Sequence, residues 1–141
     1  MSVDPITCHI LDTNKGKPAS GVICQLFYIA TDADGIRELN ETSPFAMSKT
    51  DNDGRIKKWV FDPKLDENTK SFVGISNDSW STLKSGIYKI KFLTGKYFSD
   101  QDSSTFFPYV DITFIIDNPP DNHYHIPLLL SNHGYTTYRG S

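Results

Sequence analysis

Apolar and polar residues alternate along most of this chain, and a period of two marks strands that bury one face. Ile6, Cys8 and Ile10 alternate with Thr7 and His9, which predicts a first short strand carrying His9 opposite its apolar set. Residues 22–30 are apolar on both faces and predict a central strand. Tyr88, Ile90 and Phe92 alternate with Lys89 and Lys91, the pattern of a half-exposed strand. Residues 109–116 and 123–130 predict two more, and the short link Asn118-Pro119-Pro120-Asp121-Asn122 suggests that they are antiparallel neighbours.

The punctuation between these runs is equally specific. Residues 12–18 and the polar stretch 31–45, which contains Asp34-Gly35, read as turns. Asp53-Gly54 supplies the positive φ of a tight reversal, so Arg55 opens the next strand, expected over residues 55–61. Residues 63–78 read as a polar, irregular, mobile insertion. Asp78-Ser79 has the chemistry of a helix N-cap, followed by one short helix and a stop at Gly86. Residues 99–105 read as a loop. The sum is an all-β chain: a two-sheet β-sandwich of about eight strands with one short helix, a single domain over residues 1–141.

Composition narrows the function classes. A chain of 141 residues can bury a real core. A net charge of −3, with Lys57-Lys58 as the one adjacent basic pair, excludes the basic patch that nucleic acid requires. No run approaches the roughly 18 apolar residues of a membrane span. The opening Met1-Ser2-Val3-Asp4-Pro5 lacks the pattern of a secretory signal, so a cytoplasmic setting is expected, with the peroxisome as the alternative. Cys8 and Cys24, each in an apolar run, are then expected as buried reduced thiols.

Four side chains can carry chemistry. His9 stands on a strand; His123 and His125 are two apart and share a strand face; Arg55 follows a tight turn. Singly, each has a plain explanation: a hydrogen-bonded structural histidine, a solvated sheet face, a charge guarding an edge. Together they fit a hydrolase. Imidazole takes a proton from water near neutral pH, and a forked guanidinium suits a flat heterocycle and a developing oxyanion. The chain has no Gly-x-Ser-x-Gly elbow, so water is the expected nucleophile. Three histidines are also the ligand count of a His₃ zinc site, which local spacing does not distinguish from a metal-free acid/base set. The ending Tyr138-Arg139-Gly140-Ser141 follows the 123–130 strand closely, which is unusual for a free tail.

Four blocks extend these observations. They are Thr7-Cys8-His9-Ile10-Leu11-Asp12 with Gly16-Lys17-Pro18-Ala19; Thr50-Asp51-Asn52-Asp53-Gly54-Arg55; Phe106-Phe107-Pro108-Tyr109-Val110; and His123-Tyr124-His125-Ile126-Pro127-Leu128-Leu129-Leu130-Ser131, running into Gly134-Tyr135-Thr136-Thr137 and the terminal four. In these the chain resembles the 5-hydroxyisourate hydrolases, the transthyretin-related enzymes of urate breakdown. The paired-histidine strand and the Tyr-Arg-Gly-Ser ending separate it from hormone-carrying transthyretins. The resemblance implies a transthyretin-like sandwich, pairing by sheet extension into a dimer and then into a homotetramer, a dimer of dimers with sites in the channel between them. It implies a catalytic set of His9, Arg55 and His125. It also implies substrate contacts from His9, Arg55, Tyr138, Arg139 and Ser141, with His123 further along towards the mouth. No metal and no cofactor are expected. The implied reaction is hydrolysis of 5-hydroxyisourate to 2-oxo-4-hydroxy-4-carboxy-5-ureidoimidazoline; the alternative is a non-enzymatic carrier of a small aromatic ligand. Residues 63–78 exceed the family's usual length, and Asn132-His133 replaces its usual proline. Both departures are expected at the surface.

Overall fold

The structure is a computed structural model that describes residues 3–31 and 43–141; the turn expected over 31–45 falls largely outside them. Two five-stranded sheets pack face to face. In the first, β1 (Ile6–Asp12) is central. It runs parallel to β9 (Tyr124–Leu130) and antiparallel to the two-residue strands β2 (Lys17–Pro18) and β5 (Arg55–Ile56). β10 (Tyr135–Thr137) adds to the far side of β9. The second sheet has the order β6 (Val60–Phe61), β4 (Ala46–Lys49), β3 (Ile23–Ala30), β7 (Gly86–Phe92), β8 (Val110–Ile116).

The period of two decides which side chains lie inside. Ile6, Cys8 and Ile10 from β1, with Tyr124, Ile126, Leu128 and Leu130 from β9, meet Leu26 from β3 and Tyr88, Ile90 and Phe92 from β7. Each such side chain, fully buried, contributes roughly 1.5–3 kcal/mol relative to exposure. Cys8 and Cys24 are both free thiols in this core. The same alternation turns Thr7, His9 and His125 to the outer face of the first sheet, and that face positions the site.

Several elements differ from expectation. β8 and β9 are not neighbours: β8 pairs with β7 at the edge of the second sheet, whereas β9 joins β1 in the first. Their link crosses between layers and is pinned by Tyr124, whose hydroxyl accepts from the Asp117 and Asp121 backbone N–H groups at 3.2 and 3.0 Å. The strand expected over 55–61 is two pieces in different sheets. Its corner is held by Asp4, which accepts from the Trp59 backbone N–H at 2.7 Å, and by Trp59 Nε1, which donates to the Ile6 carbonyl at 2.8 Å.

The helix expected after Asp78-Ser79 is absent. Asn77 and Asp78 both adopt positive φ, 51° and 60°, and Ser76 and Ser79 exchange backbone hydrogen bonds of 2.9 Å. That is a two-residue reversal of the hairpin kind, which Asn and Asp tolerate as readily as they cap helices. The helix lies earlier, in the stretch expected to be irregular: α1 (Glu67–Val73) is capped by Asp66, which accepts from the Thr69 N–H, and closed by Gly74 in the left-handed region. Trp80 roofs it, donating Nε1–H to the Val73 carbonyl at 2.8 Å. A second helix, α2 (Thr94–Ser99), was not foreseen. It buries Phe98 and sends the Tyr97 hydroxyl to Asp12 Oδ2 at 2.8 Å.

Candidate active site

Arg55 owes its place to the turn before it. Asp51 Oδ1 accepts from the backbone N–H groups of Asp53 and Arg55 at 2.9 and 3.0 Å. Gly54 has φ +74° and passes so close to β1 that a Cβ there would stand 2.5 Å from the Ile10 carbonyl oxygen. Only glycine meets both demands. The chain is thereby delivered against β1 with Arg55 opposite His9.

β9 brings the second imidazole. Its parallel register sets His125 beside Thr7. The ring centroids of His9 and His125 are 6.4 Å apart, and those of His125 and His123 also 6.4 Å, so His125 stands between two other imidazoles. The buried Thr7 hydroxyl touches both members of the second pair, 2.7 Å from His125 Nδ1 and 2.9 Å from His123 Nε2. The other ring nitrogen of His125 has no hydrogen-bond partner among the described residues.

The tail folds back over this strand. After β10, the Gly140 N–H donates to the His125 carbonyl at 2.8 Å. A Cβ at Gly140 would lie 2.7 Å from His125 Cδ2, so the closing turn of the chain needs a glycine to lie flat on the imidazole. A cleft of about 230 Å³ results, with Thr7, Arg55, Lys57, His123, His125 and Ser141 among its walls.

The structure therefore gathers Arg55, His125 and Ser141 in one cleft and sets His9 beside His125. Tyr138 and Arg139 lie elsewhere. They line a separate apolar slot of about 150 Å³ towards β8, which His125 also borders. Arg139 pairs with Asp121 at 2.7 Å and lies over the Tyr124 ring at 4.5 Å. Within one protomer its guanidinium holds the tail to the β8–β9 link and does not enter the cleft. Thr7 and Lys57 were not singled out from sequence. Thr7 carried a signal, lying two residues from His9 on the same strand face; Lys57 figured only as half of the one adjacent basic pair.

The electrostatics favour neutral imidazoles. Burial pushes the His9 pKa below the ordinary 6.5, and the Arg55 guanidinium pushes it further, against a hydrogen bond with the Asp53 backbone and the charges of Asp51 and Asp53. His125 is lowered by burial first, then by Arg55, His123 and His9. A neutral imidazole beside a fixed cation can accept a proton from water, while the cation faces the charge that forms on an attacked carbonyl. Among the described residues no three His, Cys, Asp or Glu side chains are grouped as a metal ion would require.

A two-sheet sandwich with a histidine- and arginine-lined cleft on one outer sheet face defines a class, the transthyretin-like β-sandwich proteins that carry a polar site on that face. The model of the HIUase/Transthyretin family matches residues 6–140, and the chain belongs to that family. It is 37% identical over 136 residues to a probable 5-hydroxyisourate hydrolase of Schizosaccharomyces pombe, covering 96% of this chain and 90% of the relative. Among solved structures it is similar to the 5-hydroxyisourate hydrolase of Klebsiella pneumoniae, with 27% identity, a TM-score of 0.64 and coverage of 96% and 98% of the two chains. It is also similar to sea bream transthyretin in complex with thyroxine, with 27% identity, a TM-score of 0.66 and coverage of 96% and 94%.

Proposed function

We propose that this protein hydrolyses 5-hydroxyisourate, opening its six-membered ring to give 2-oxo-4-hydroxy-4-carboxy-5-ureidoimidazoline. The observation that carries the reading is the meeting of His9, His125 and Arg55 on one sheet face, with both imidazoles held neutral. The names of the relatives supply the substrate, and the site supplies the chemistry. A histidine, His125 or His9, takes a proton from a bound water, and that water attacks the lactam carbonyl. Arg55 holds the planar ring and faces the oxyanion. Ser141, brought in by the tail, hydrogen-bonds the substrate. Arg139 and Tyr138 fix the tail, and with it the position of Ser141.

The working form is a homotetramer, a dimer of dimers. The cleft lies on the open outer face of the first sheet, and a facing copy would enclose it and exclude water. Generating 5-hydroxyisourate with urate oxidase and following its ultraviolet decay tests the reading. The protein accelerates that decay well beyond the spontaneous rate, and His125→Ala loses about 10²–10⁴-fold in kcat, the usual worth of a general base. A carrier would bind the compound and leave its decay rate unchanged.

A further inference from the structure

The Thr7 hydroxyl lies between two ring nitrogens, His125 Nδ1 and His123 Nε2. A hydroxyl has one proton to give and lone pairs with which to accept. Two neutral arrangements make both contacts. In the first, His125 donates from Nδ1 to Thr7, and Thr7 donates to His123 Nε2; His125 then shows a bare Nε2 and is a base. In the second, His123 donates from Nε2 to Thr7, and Thr7 donates to His125 Nδ1; His125 then carries its proton on Nε2 and is an acid. Two protons can pass along the line only as His125 Nε2 gains one from outside; His125 then stays neutral, and His123, which keeps its Nδ1 proton, carries the positive charge.

The contact is built into the sheet. Thr7 and His125 are register partners on β1 and β9, His123 is two residues before His125, and Thr7 is buried. A solvated sheet face would not bury a hydroxyl between two imidazoles.

We propose that Thr7 is a positioning residue wiring His125 to His123, so that His125 changes from base to acid within one turnover without holding a positive charge. This deepens the hydrolytic reading above and rests on it. As the water oxygen bonds to the carbonyl carbon, its O–H bond breaks and the proton goes to His125 Nε2. The Nδ1 proton of His125 passes to Thr7 Oγ1, and the Thr7 proton passes to His123 Nε2. His125 ends neutral with its proton on Nε2, and the positive charge rests on His123. When the C–N bond breaks, His125 gives the Nε2 proton to the leaving nitrogen, and the two shifts reverse, restoring the first arrangement.

The surroundings explain why the charge is moved. His125 faces Arg55 and His9, and Lys57 lines the same cleft, so a cation is disfavoured there. His123 also borders a second, larger cleft of about 570 Å³, whose walls include Asp4 and Lys58. Its walls carry the carboxyl groups of Asp4 and Asp78 as well as the Lys58 ammonium.

Thr7→Val keeps the shape and removes the hydroxyl, and Thr7→Ser keeps the hydroxyl. Thr7→Val lowers kcat about 10–100-fold with little change in KM, the scale seen when a partner that orients a functional histidine is lost. Thr7→Ser recovers most of that loss. His123→Gln matches Thr7→Val, and the double variant is no worse than either alone. Imidazole ¹⁵N shifts, read on the parent without substrate, show His123 and His125 in the same neutral tautomer, either both Nδ1–H or both Nε2–H. Undiminished kcat in Thr7→Val, multiplicative losses in the double variant, or opposite tautomers in the parent overturns the wiring. The tautomer measurement needs no turnover, so it judges the wiring even if 5-hydroxyisourate decays at its spontaneous rate, the result that would instead defeat the hydrolytic reading.

Discussion

In the proposed reaction His125 and His9 set the response of the site to pH. Both titrate below the ordinary 6.5, burial being the larger cause and Arg55 the next. A base works only when unprotonated, so the acid limb of kcat/KM falls below pH 6.5. Arg55→Met removes the neighbouring cation and shifts that limb upward, towards the ordinary value, while also lowering turnover. A pH–rate profile of both proteins checks the direction. The same depression acts on folding: these imidazoles bind protons more readily in the unfolded chain, so their contribution to stability is full above the unfolded value near 6.5 and is lost as pH falls through the lower folded values. Urea midpoints therefore decline on acidification through that window and less so in His125→Asn. Gly140 makes a steric prediction at the same scale. A methyl group 2.7 Å from His125 Cδ2 forces either the tail or the imidazole to shift, so Gly140→Ala lowers kcat/KM and leaves the melting temperature nearly unchanged.

Long, regular elements were legible in the chain, and short ones were not. β1, β3, β7, β8 and β9 each run for seven or eight residues, long enough for a period of two to emerge. β2, β5 and β6 have two residues each and no period at all; register with a neighbour creates them. Sheet membership of β8 and β9 was illegible for a related reason: a short link serves a hairpin and a crossing between layers equally, and both strands bury one face in the same core. The helix was misplaced because Asp78 and Asp66 have the same local chemistry. Asp66 has a left-handed glycine eight residues on, whereas Asp78 follows an asparagine that shares its positive φ. Face and spacing singled out His9, Arg55 and the His123/His125 pair, and the choice of His125 came from the family resemblance; Thr7 was not singled out, since a strand threonine reveals its partners only once β9 lies beside β1. α1 supplies a test of the corrected assignment. Gly74 has φ +95°, and a Cβ there would sit 1.5 Å from the Thr82 carbonyl oxygen, a backbone atom that cannot swing aside. Gly74→Ala therefore costs at least about 1–3 kcal/mol of stability by chemical denaturation. Were residues 63–78 an irregular insertion, the substitution would be nearly silent.

At the scale of the molecule, the fold does not choose the function. The chain superposes about as well on a transthyretin that binds thyroxine as on a hydrolase, so the distinction rests on what the outer face of the first sheet carries. In the proposed reaction that face needs the tail to stay on it, and the tail lies beside two sheet edges. β8 ends the second sheet and β10 ends the first, with the slot that holds Tyr138 and Arg139 between them. Ile115, on the unpaired edge strand β8, is 49% exposed, and Tyr138, just past the edge strand β10, is 57% exposed. Pairing of β8 with its copy would satisfy the edge and cover these side chains, giving the dimer from which the proposed tetramer is built. Ile115→Lys places a charge in that seam without touching the core. The parent should sediment as a multiple of the 15.9 kDa chain, and the variant at or near that mass with an unchanged far-ultraviolet spectrum. Loss of the neighbour frees the tail from one side, so KM for 5-hydroxyisourate rises in the dissociated variant, and high protein concentration partly reverses the defect. A parent that sediments at 15.9 kDa and is fully active would remove the neighbouring copy from the account of the site and leave each cleft to work alone.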